Sequence, residues 1–179
     1  MERRIAKVNI SSAGGTAASG SRTCKVTLPT RWVEAMGISE ERRELELCFD
    51  GTTVQLFRRP GGPEFAERQK LLGHDVRVLR FYDNDDLCST IYADFTGHEV
   101  SVENQAVPTI KTAFGNNPFP TWEDLRQFLE SRCVPRQRAG LREYLEALEL
   151  DEYNPLAIIE KTGGRMAEDQ QWLSIEVLK

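Results

Sequence analysis

The sequence contains no long run of apolar residues and no apolar segment at its N-terminus. Of its 179 residues 40% are hydrophobic, yet no segment approaches the roughly 18 consecutive apolar residues of a membrane-spanning helix. The first ten residues, MERRIAKVNI, turn polar at once and lack the apolar core of a signal peptide. We therefore expect a cytoplasmic protein that does not bind membranes.

Motifs for metals, cofactors and catalysis are missing as well. The four cysteines form no Cys-x-x-Cys pair, and His74 and His98 do not stand at metal-ligand spacing from them. The glycine-rich residues 15–20 resemble the start of a phosphate-binding loop, but Ser21 and Arg22 replace its Lys-Ser/Thr pair. The sequence thus predicts no metal, no cofactor and no catalytic residue, and we expect a protein that is not an enzyme.

The net charge of −5 is unevenly distributed along the chain. Residues 1–60 contain ten Lys/Arg and seven Asp/Glu, a net charge of +3, whereas residues 61–179 contain 13 and 21, a net charge of −8. A contrast of this size between two parts of one chain suggests two modules with different partners.

The first module has the pattern of two hairpins around a short helix. Residues 11–21 contain only Ser, Ala, Gly and Thr, which predicts a mobile loop. Thr30 is a candidate N-cap of a short helix that ends at Gly37, and Asp50-Gly51 is a tight-turn signal. The strands are predicted from alternation and β-branched residues at Ala6–Ile10, Cys24–Leu28, Leu45–Phe49 and Thr53–Phe57.

Two segments of this module, KVTLPTRWVEAMGI (Lys25–Ile38) and ELELCFDGTTVQLFRR (Glu44–Arg59), resemble the SpoVT/AbrB family. The shared pattern is a strand that ends in proline, a short helix that ends in Met-Gly-Ile, and a hairpin closed by an acidic-Gly turn. The resemblance covers about the first third of the chain. It implies a DNA-binding swapped-hairpin β-barrel, in which two chains exchange hairpins. The small size of the module agrees, because so few apolar side chains form only a marginal core without a partner.

The resemblance also implies where DNA would bind, namely on basic residues around the first loop and the second strand. Such residues would neutralise phosphates and make binding strongly dependent on salt. Some family members carry an arginine pair in the short helix, where this chain has Val33 and Glu34. A carboxylate at position 34 would repel phosphate if it faced the DNA. The predicted DNA-binding residues are Lys7, Ser21, Arg22, Lys25 and Arg31.

The second module has the pattern of an α+β domain. Pro60-Gly61-Gly62-Pro63 predicts a linker, which sets the domains at residues 1–59 and 64–179. About four helices are predicted at residues 64–72, 121–133, 141–148 and 155–162. Strands are predicted at residues 76–82, 87–95, 98–103 and 172–178, which would form a small antiparallel sheet.

Four arginines occur within eleven residues of the second module. They suit a phosphate or acidic-peptide partner, because the guanidinium fork matches planar anions. Alternatively they pair with nearby glutamates on adjacent helical turns, which is the explanation that we favour. The residues of this candidate anion or partner site are Arg132, Arg136, Arg138 and Arg142.

The sequence supports two functional hypotheses. The first is a DNA-binding transcriptional regulator that acts as a homodimer, with a tetramer as the alternative. It would bind double-stranded DNA through residues 1–59, with residues 64–179 for an effector, oligomerisation or a protein partner. The second is an antitoxin-type protein similar to the MazE group, which shares the N-terminal fold. It would bind a partner through its C-terminal domain and DNA through its N-terminal domain. An enzyme is the third and least supported hypothesis, since no catalytic constellation is visible.

Overall fold

The structure is a computed structural model that describes residues 2–12, 21–40 and 43–178. The chain divides into two compact units, residues 1–59 (unit 1) and residues 60–179 (unit 2).

Unit 1 contains two antiparallel hairpins and one short helix. Strand β1 (Val8–Ser12) pairs with β2 (Arg22–Val26), and β3 (Leu45–Phe49) pairs with β4 (Val54–Arg58), in two separate two-stranded sheets. Helix α1 (Thr30–Ala35) lies between the hairpins in sequence. The four predicted strands and the helix are thereby confirmed.

Two details of unit 1 differ from the sequence prediction. Ser11 and Ser12 belong to β1 rather than to the predicted loop, because they pair with Thr23 and Arg22 across the hairpin. The remainder of the predicted mobile loop, residues 13–20, lies outside the described residues. Thr30 is not the N-cap of α1 but its first residue, because the carbonyl of the extended residue before it already accepts the first helical hydrogen bonds.

Unit 2 is built on a four-stranded antiparallel sheet of strand order β7-β6-β5-β8. The predicted meander is confirmed, and the last strand of the chain returns to pair with β5. A single 3₁₀ turn, Thr109–Lys111, follows the meander. The strands are β5 (Val76–Asp83), β6 (Asp86–Asp94), β7 (Glu99–Asn104) and β8 (Gln171–Val177), and the helices are α2 (Gly62–Leu71), α3 (Trp122–Ser131), α4 (Leu141–Ala147) and α5 (Pro155–Thr162).

The sheet of unit 2 separates a core layer from helix α2. Leu79 and Ile91, neighbours on β5 and β6, are fully buried in a cluster with residues of α3, α4 and α5. Tyr92 points the other way because side chains alternate along a strand. Its ring lies against Gly62 at the start of α2. The sheet thus has helices on both of its faces.

The predicted capping signals of unit 2 are confirmed. Thr121 and Asp124 form a reciprocal capping box at the start of α3, and Asn154 caps α5 ahead of Pro155. The predicted linker is shorter than expected, since Gly62 and Pro63 already belong to α2. Pro63 fits the first turn of α2 because backbone N–H groups in that turn have no acceptor within the helix. The N–H that proline lacks therefore costs no helical hydrogen bond.

The described residues therefore form a mixed α+β fold, with small antiparallel sheets and five α-helices. The described residues of one chain form no closed barrel, and the barrel of two exchanged chains stays a prediction. Within the described ranges, every helix is too short to cross a membrane.

Candidate nucleic-acid interface

The β1–β2 hairpin has one apolar face and one polar face. Val8 lies opposite Val26 in the ladder, and their side chains share one face. Asn9 lies opposite Lys25 on the other face, because successive side chains alternate across a strand. The pairing of β1 with β2 therefore gives one face that is hydrophobic as far as Ser12 and Arg22 at its loop end, and one face of hydroxyl, amide and ammonium groups.

Two of the predicted DNA-binding residues, Lys7 and Lys25, are each related to Asn9 of β1. Lys7 and Asn9 line an open groove with a volume of about 460 Å³, and Lys25 is the cross-strand neighbour of Asn9. Arg4 and Thr30 also line this groove, so its rim carries the positive charges of Arg4 and Lys7. Ammonium, guanidinium and amide groups on one surface provide the donors that bind phosphate oxygens in DNA.

The positive charge of unit 1 is concentrated in the first hairpin and in the segment that precedes it. Residues 2–28 contain five basic residues and one acidic residue, Glu2. Residues 43–59, which form the second hairpin, contain three of each sign. The electrostatic attraction for a polyanion therefore comes from β1, β2 and the segment that precedes them.

Other predicted DNA-binding residues lie apart from Lys7 and Lys25. Arg22 pairs with Ser12 at the loop end of the hairpin, and alternation places it on the face of Val8 and Val26. Ser21 precedes β2 and is exposed.

Arg31 is exposed on α1 and already has a partner. Its guanidinium forms an ion pair with Glu2. Glu34 lies three residues further along the same helix and is also exposed.

Both hairpins of unit 1 expose apolar faces. On β3–β4, Leu47 lies opposite Leu56 and Phe49 opposite Val54, so all four share one face. Leu47 is 64% exposed and Phe49 is 69% exposed. Among the described residues of unit 1, none is buried. A folded unit with two uncovered hydrophobic faces is typical of an interaction surface.

Sequence reasoning missed the residues that accompany the predicted lysines. Asn9 and Arg4 were not predicted, although both line the groove. Asn9 could have been found only from its cross-strand pairing with Lys25. This pairing depends on the register of the hairpin, and the length of the loop does not determine that register.

The candidate anion site of unit 2 is not gathered into one surface. Arg132 is buried, donates to the backbone carbonyls of Gly164 and Gln171, and forms an ion pair with Asp169 at 2.6 Å. Hydrogen bonds from the Arg132 guanidinium lower the pKa of Asp169 despite its partial burial. Arg132 therefore joins α3 to the segment before β8.

The other three arginines of this group are exposed. Arg136 pairs with Glu130 and stacks over Tyr153. Arg142 pairs with Glu146, which lies one helical turn further along α4. Arg138 is exposed near the start of α4. Arg136 and Arg142 thus pair with nearby glutamates, whereas Arg132 pairs with Asp169, which is 37 positions away in the sequence.

A buried carboxylate closes the turn between β6 and β7. Asp94 accepts hydrogen bonds from the backbone N–H groups of Thr96 and Gly97, and its other oxygen lies 2.7 Å from Nδ1 of His74. Burial opposes ionisation of Asp94, but hydrogen bonds from Gly97, His74 and Thr96 outweigh it and lower the pKa of the carboxyl. These contacts join the turn to the end of α2, which is a structural role.

Within the part of the chain that the structure describes, no three His, Cys, Asp or Glu side chains are placed to hold a metal ion. Comparison with protein-family models, curated proteins and solved structures found no match for this chain. The functional assignment therefore rests on the surfaces of unit 1 and on the residues that form them.

Proposed function

We propose that this chain is a DNA-binding regulator that acts as a homodimer through residues 1–59. The observation that carries the proposal is the two-faced β1–β2 hairpin. Its polar face carries Asn9 opposite Lys25, Asn9 lines a groove together with Lys7, and its apolar face is exposed. The resemblance of Lys25–Ile38 and Glu44–Arg59 to the SpoVT/AbrB pattern supports the same function.

The uncovered apolar faces support association of two copies. Complete burial of a Val, Leu, Ile or Phe side chain contributes about 1.5–3 kcal/mol. Val8, Ile10, Leu47, Phe49 and Val54 are each more than half exposed. Covering them would therefore add several kcal/mol per chain, on the order of the whole stability of a small domain. A second copy offers the same faces, and hairpin exchange would bury them in a shared core.

Dimerisation would also double the basic surface. Residues 2–28 of each chain contribute five basic residues against one acidic residue, so two chains offer ten against two. Binding that depends on phosphate neutralisation grows with the number of such contacts. An acidic protein can bind DNA in this way, because its excess of negative charge belongs to residues 61–179.

The test is a titration of the full-length protein against a mixed-sequence duplex at increasing salt. We expect the logarithm of the binding constant to fall linearly with the logarithm of salt concentration. The double variant Lys7→Ala/Lys25→Ala removes four lysines per dimer. It should weaken binding about tenfold or more at low salt and reduce the salt slope by roughly 3–4.

A matched control is Lys70→Ala/Lys161→Ala, which removes the same charge from exposed positions in unit 2. This control should bind DNA almost as the unchanged protein does. Equal effects of the two double variants would contradict the assigned surface. Absence of salt-dependent binding by the unchanged protein would contradict the function itself.

The antitoxin-type alternative stays a prediction. The C-terminal segments of that group are usually short and disordered until they bind. Unit 2 instead has capped helices and a core in which Leu79, Ile91 and Ile158 are fully buried. Stoichiometric co-purification of a second protein would favour this alternative.

A further inference from the structure

Two side-chain donors of α1 converge on one oxygen atom near the start of the chain. The guanidinium of Arg31 and the indole N–H of Trp32 both donate to Oε2 of Glu2, at 2.5 Å and 2.7 Å. Neither donor can accept a hydrogen bond, so only an acceptor oxygen satisfies both at once. The pair of donors is thus an oxyanion site, which the carboxylate of Glu2 occupies.

The contact with Glu2 is exposed and therefore weak. The side chain of Arg31 is 71% exposed and that of Glu2 is 56% exposed. Exposed ion pairs are solvated and screened by salt, so another anion displaces them at little cost. A phosphodiester carries one negative charge and free oxygens, and it meets the same two donors as a carboxylate does.

The oxyanion site adjoins the basic groove of the first hairpin. Thr30, which directly precedes Arg31 in the chain, lines the groove together with Arg4, Lys7 and Asn9. A nucleic-acid backbone that follows the groove would reach Arg31 and Trp32 at its α1 end.

We propose that Arg31 and Trp32 form a phosphate site of the DNA-binding surface, and that Glu2 is an internal competitor for it. Binding of DNA displaces Glu2, so this contact lowers the affinity of the protein for DNA. The proposal rests on the DNA-binding function proposed above. It assigns to Trp32 and Glu2 roles that the sequence did not reveal.

The first experiment is a double-mutant cycle in the full-length protein. Glu2→Gln keeps the size of the side chain and removes its charge, and it should tighten duplex binding about two- to fivefold at low salt. In the Arg31→Ala background the same change should have little effect, because the site for which Glu2 competes is gone. Arg31→Ala alone should weaken binding.

The matched control is Glu34→Gln, which removes the same charge from α1, the helix that carries Arg31. Any gain from this change comes from general electrostatics, so it should be the same with and without Arg31. The proposal is overturned if the gain from Glu2→Gln is equally independent of Arg31.

The second experiment observes the indole N–H of Trp32 directly by nitrogen-15 NMR, with its signal assigned by Trp32→Phe. The duplex should shift this signal much more than the other two tryptophan signals. Inorganic phosphate in excess should shift it in the same direction, which would show a general oxyanion site. A shift with the duplex alone would show that the site needs the groove, and both results support the proposal.

The two proposals can fail separately. Salt-dependent DNA binding without coupling between Glu2 and Arg31 would leave the function standing and overturn the competitor role. If the duplex does not bind at all, the competitor role fails with the function, whatever inorganic phosphate does. An unmoved Trp32 signal in the presence of bound duplex would exclude Trp32 from the interface.

Discussion

At the scale of single residues, a glycine without a Cβ atom and a buried carboxylate fix how helix α2 packs on the sheet of unit 2. Gly62 has no side chain because the ring of Tyr92 occupies the space where a Cβ would lie. Asp94 is fully buried and keeps a lowered pKa through hydrogen bonds that close a turn. Both residues fix the position of α2 on the sheet of unit 2.

Gly62→Ala should destabilise unit 2 although alanine is the better helix former. The added Cβ would fall 2.1 Å from a carbon of the Tyr92 ring. Forcing the ring aside costs about 1–3 kcal/mol, which exceeds the roughly 1 kcal/mol gained from helix propensity. Thermal unfolding should show a lower melting temperature.

Gly61→Ala is the control for this prediction, since its Cβ would meet only Oε1 of Glu103 at an ordinary 3.5 Å. It should leave the melting temperature of unit 2 almost unchanged. A Gly62→Ala protein as stable as the unchanged one would show that Tyr92 moves freely.

Asp94→Asn should change how the stability of unit 2 depends on pH. The carboxylate of Asp94 has its pKa below the ordinary value of 3.8, so it stabilises the fold above that pH. This contribution is lost as pH falls through the lowered pKa of the folded protein. The variant should therefore be less stable near neutral pH, and the difference should shrink in acid.

Urea unfolding at a series of pH values measures this difference. Asp85→Asn, which removes a carboxylate from an exposed turn position, serves as the control and should change the free energy of unfolding much less. A constant difference for Asp94→Asn across the acid range would contradict the role of its ionised form.

At the scale of elements, the hairpins of unit 1 are stable only if something covers their apolar faces. Leu56 belongs to the face of β3–β4 that also carries Leu47 and Phe49, whereas its neighbour Gln55 points to the opposite face. An isolated two-stranded hairpin is marginal in water. The structure thus separates positions that should affect association from positions that should not.

Leu56→Lys should abolish the dimer, because it places a charge within the surface that would be buried between chains. Light scattering should then report a mass near 20.3 kDa rather than twice that value. Gln55→Lys introduces the same charge one residue away and should leave the dimer intact. A monomeric unchanged protein would remove the argument from hairpin exchange.

At the scale of the whole molecule, the two units differ in how they obtain stability. Unit 2 has a core of fully buried side chains, while none of the described residues of unit 1 is buried. Stability that comes from a partner chain rises with protein concentration by mass action. Stability that comes from an internal core does not.

Thermal unfolding of the full-length protein should therefore show two transitions. The transition of unit 1 should move to higher temperature as protein concentration rises, and that of unit 2 should stay fixed. Leu56→Lys should affect only the first transition and Gly62→Ala only the second. One cooperative transition that is independent of concentration would contradict this division.

The elements were predictable from the sequence because their signals are local. The capping box of Thr121 with Asp124 and the Asn154-Pro155 start of α5 depend on residues a few positions apart. The predicted N-cap at Thr30 was wrong because the preceding proline already provides the carbonyl that accepts the first bonds. Errors of one or two residues are expected at helix ends.

The candidate site was predictable only in part. Basic residues can be read from a sequence, but which of them share a face depends on the register of β1 against β2. That register places Lys25 beside Asn9 and places Arg22 on the opposite face. Similarly, only the fold shows that Arg132 is buried and bound to Asp169 rather than exposed.

The sequence by itself determined which segments form helices and strands, how charge is distributed along the chain, and which metal-binding and catalytic motifs are missing. Periodicity, capping and charge are properties of neighbouring residues, so they can be read without the fold. Tertiary structure alone decided which distant residues meet. In the folded chain Glu2 contacts Arg31 and Trp32, and the ring of Tyr92 packs against Gly62. The apolar faces of the two hairpins are exposed. Such contacts join residues some 30 positions apart, and the free energy that selects them comes from packing and pairing, which no local pattern encodes.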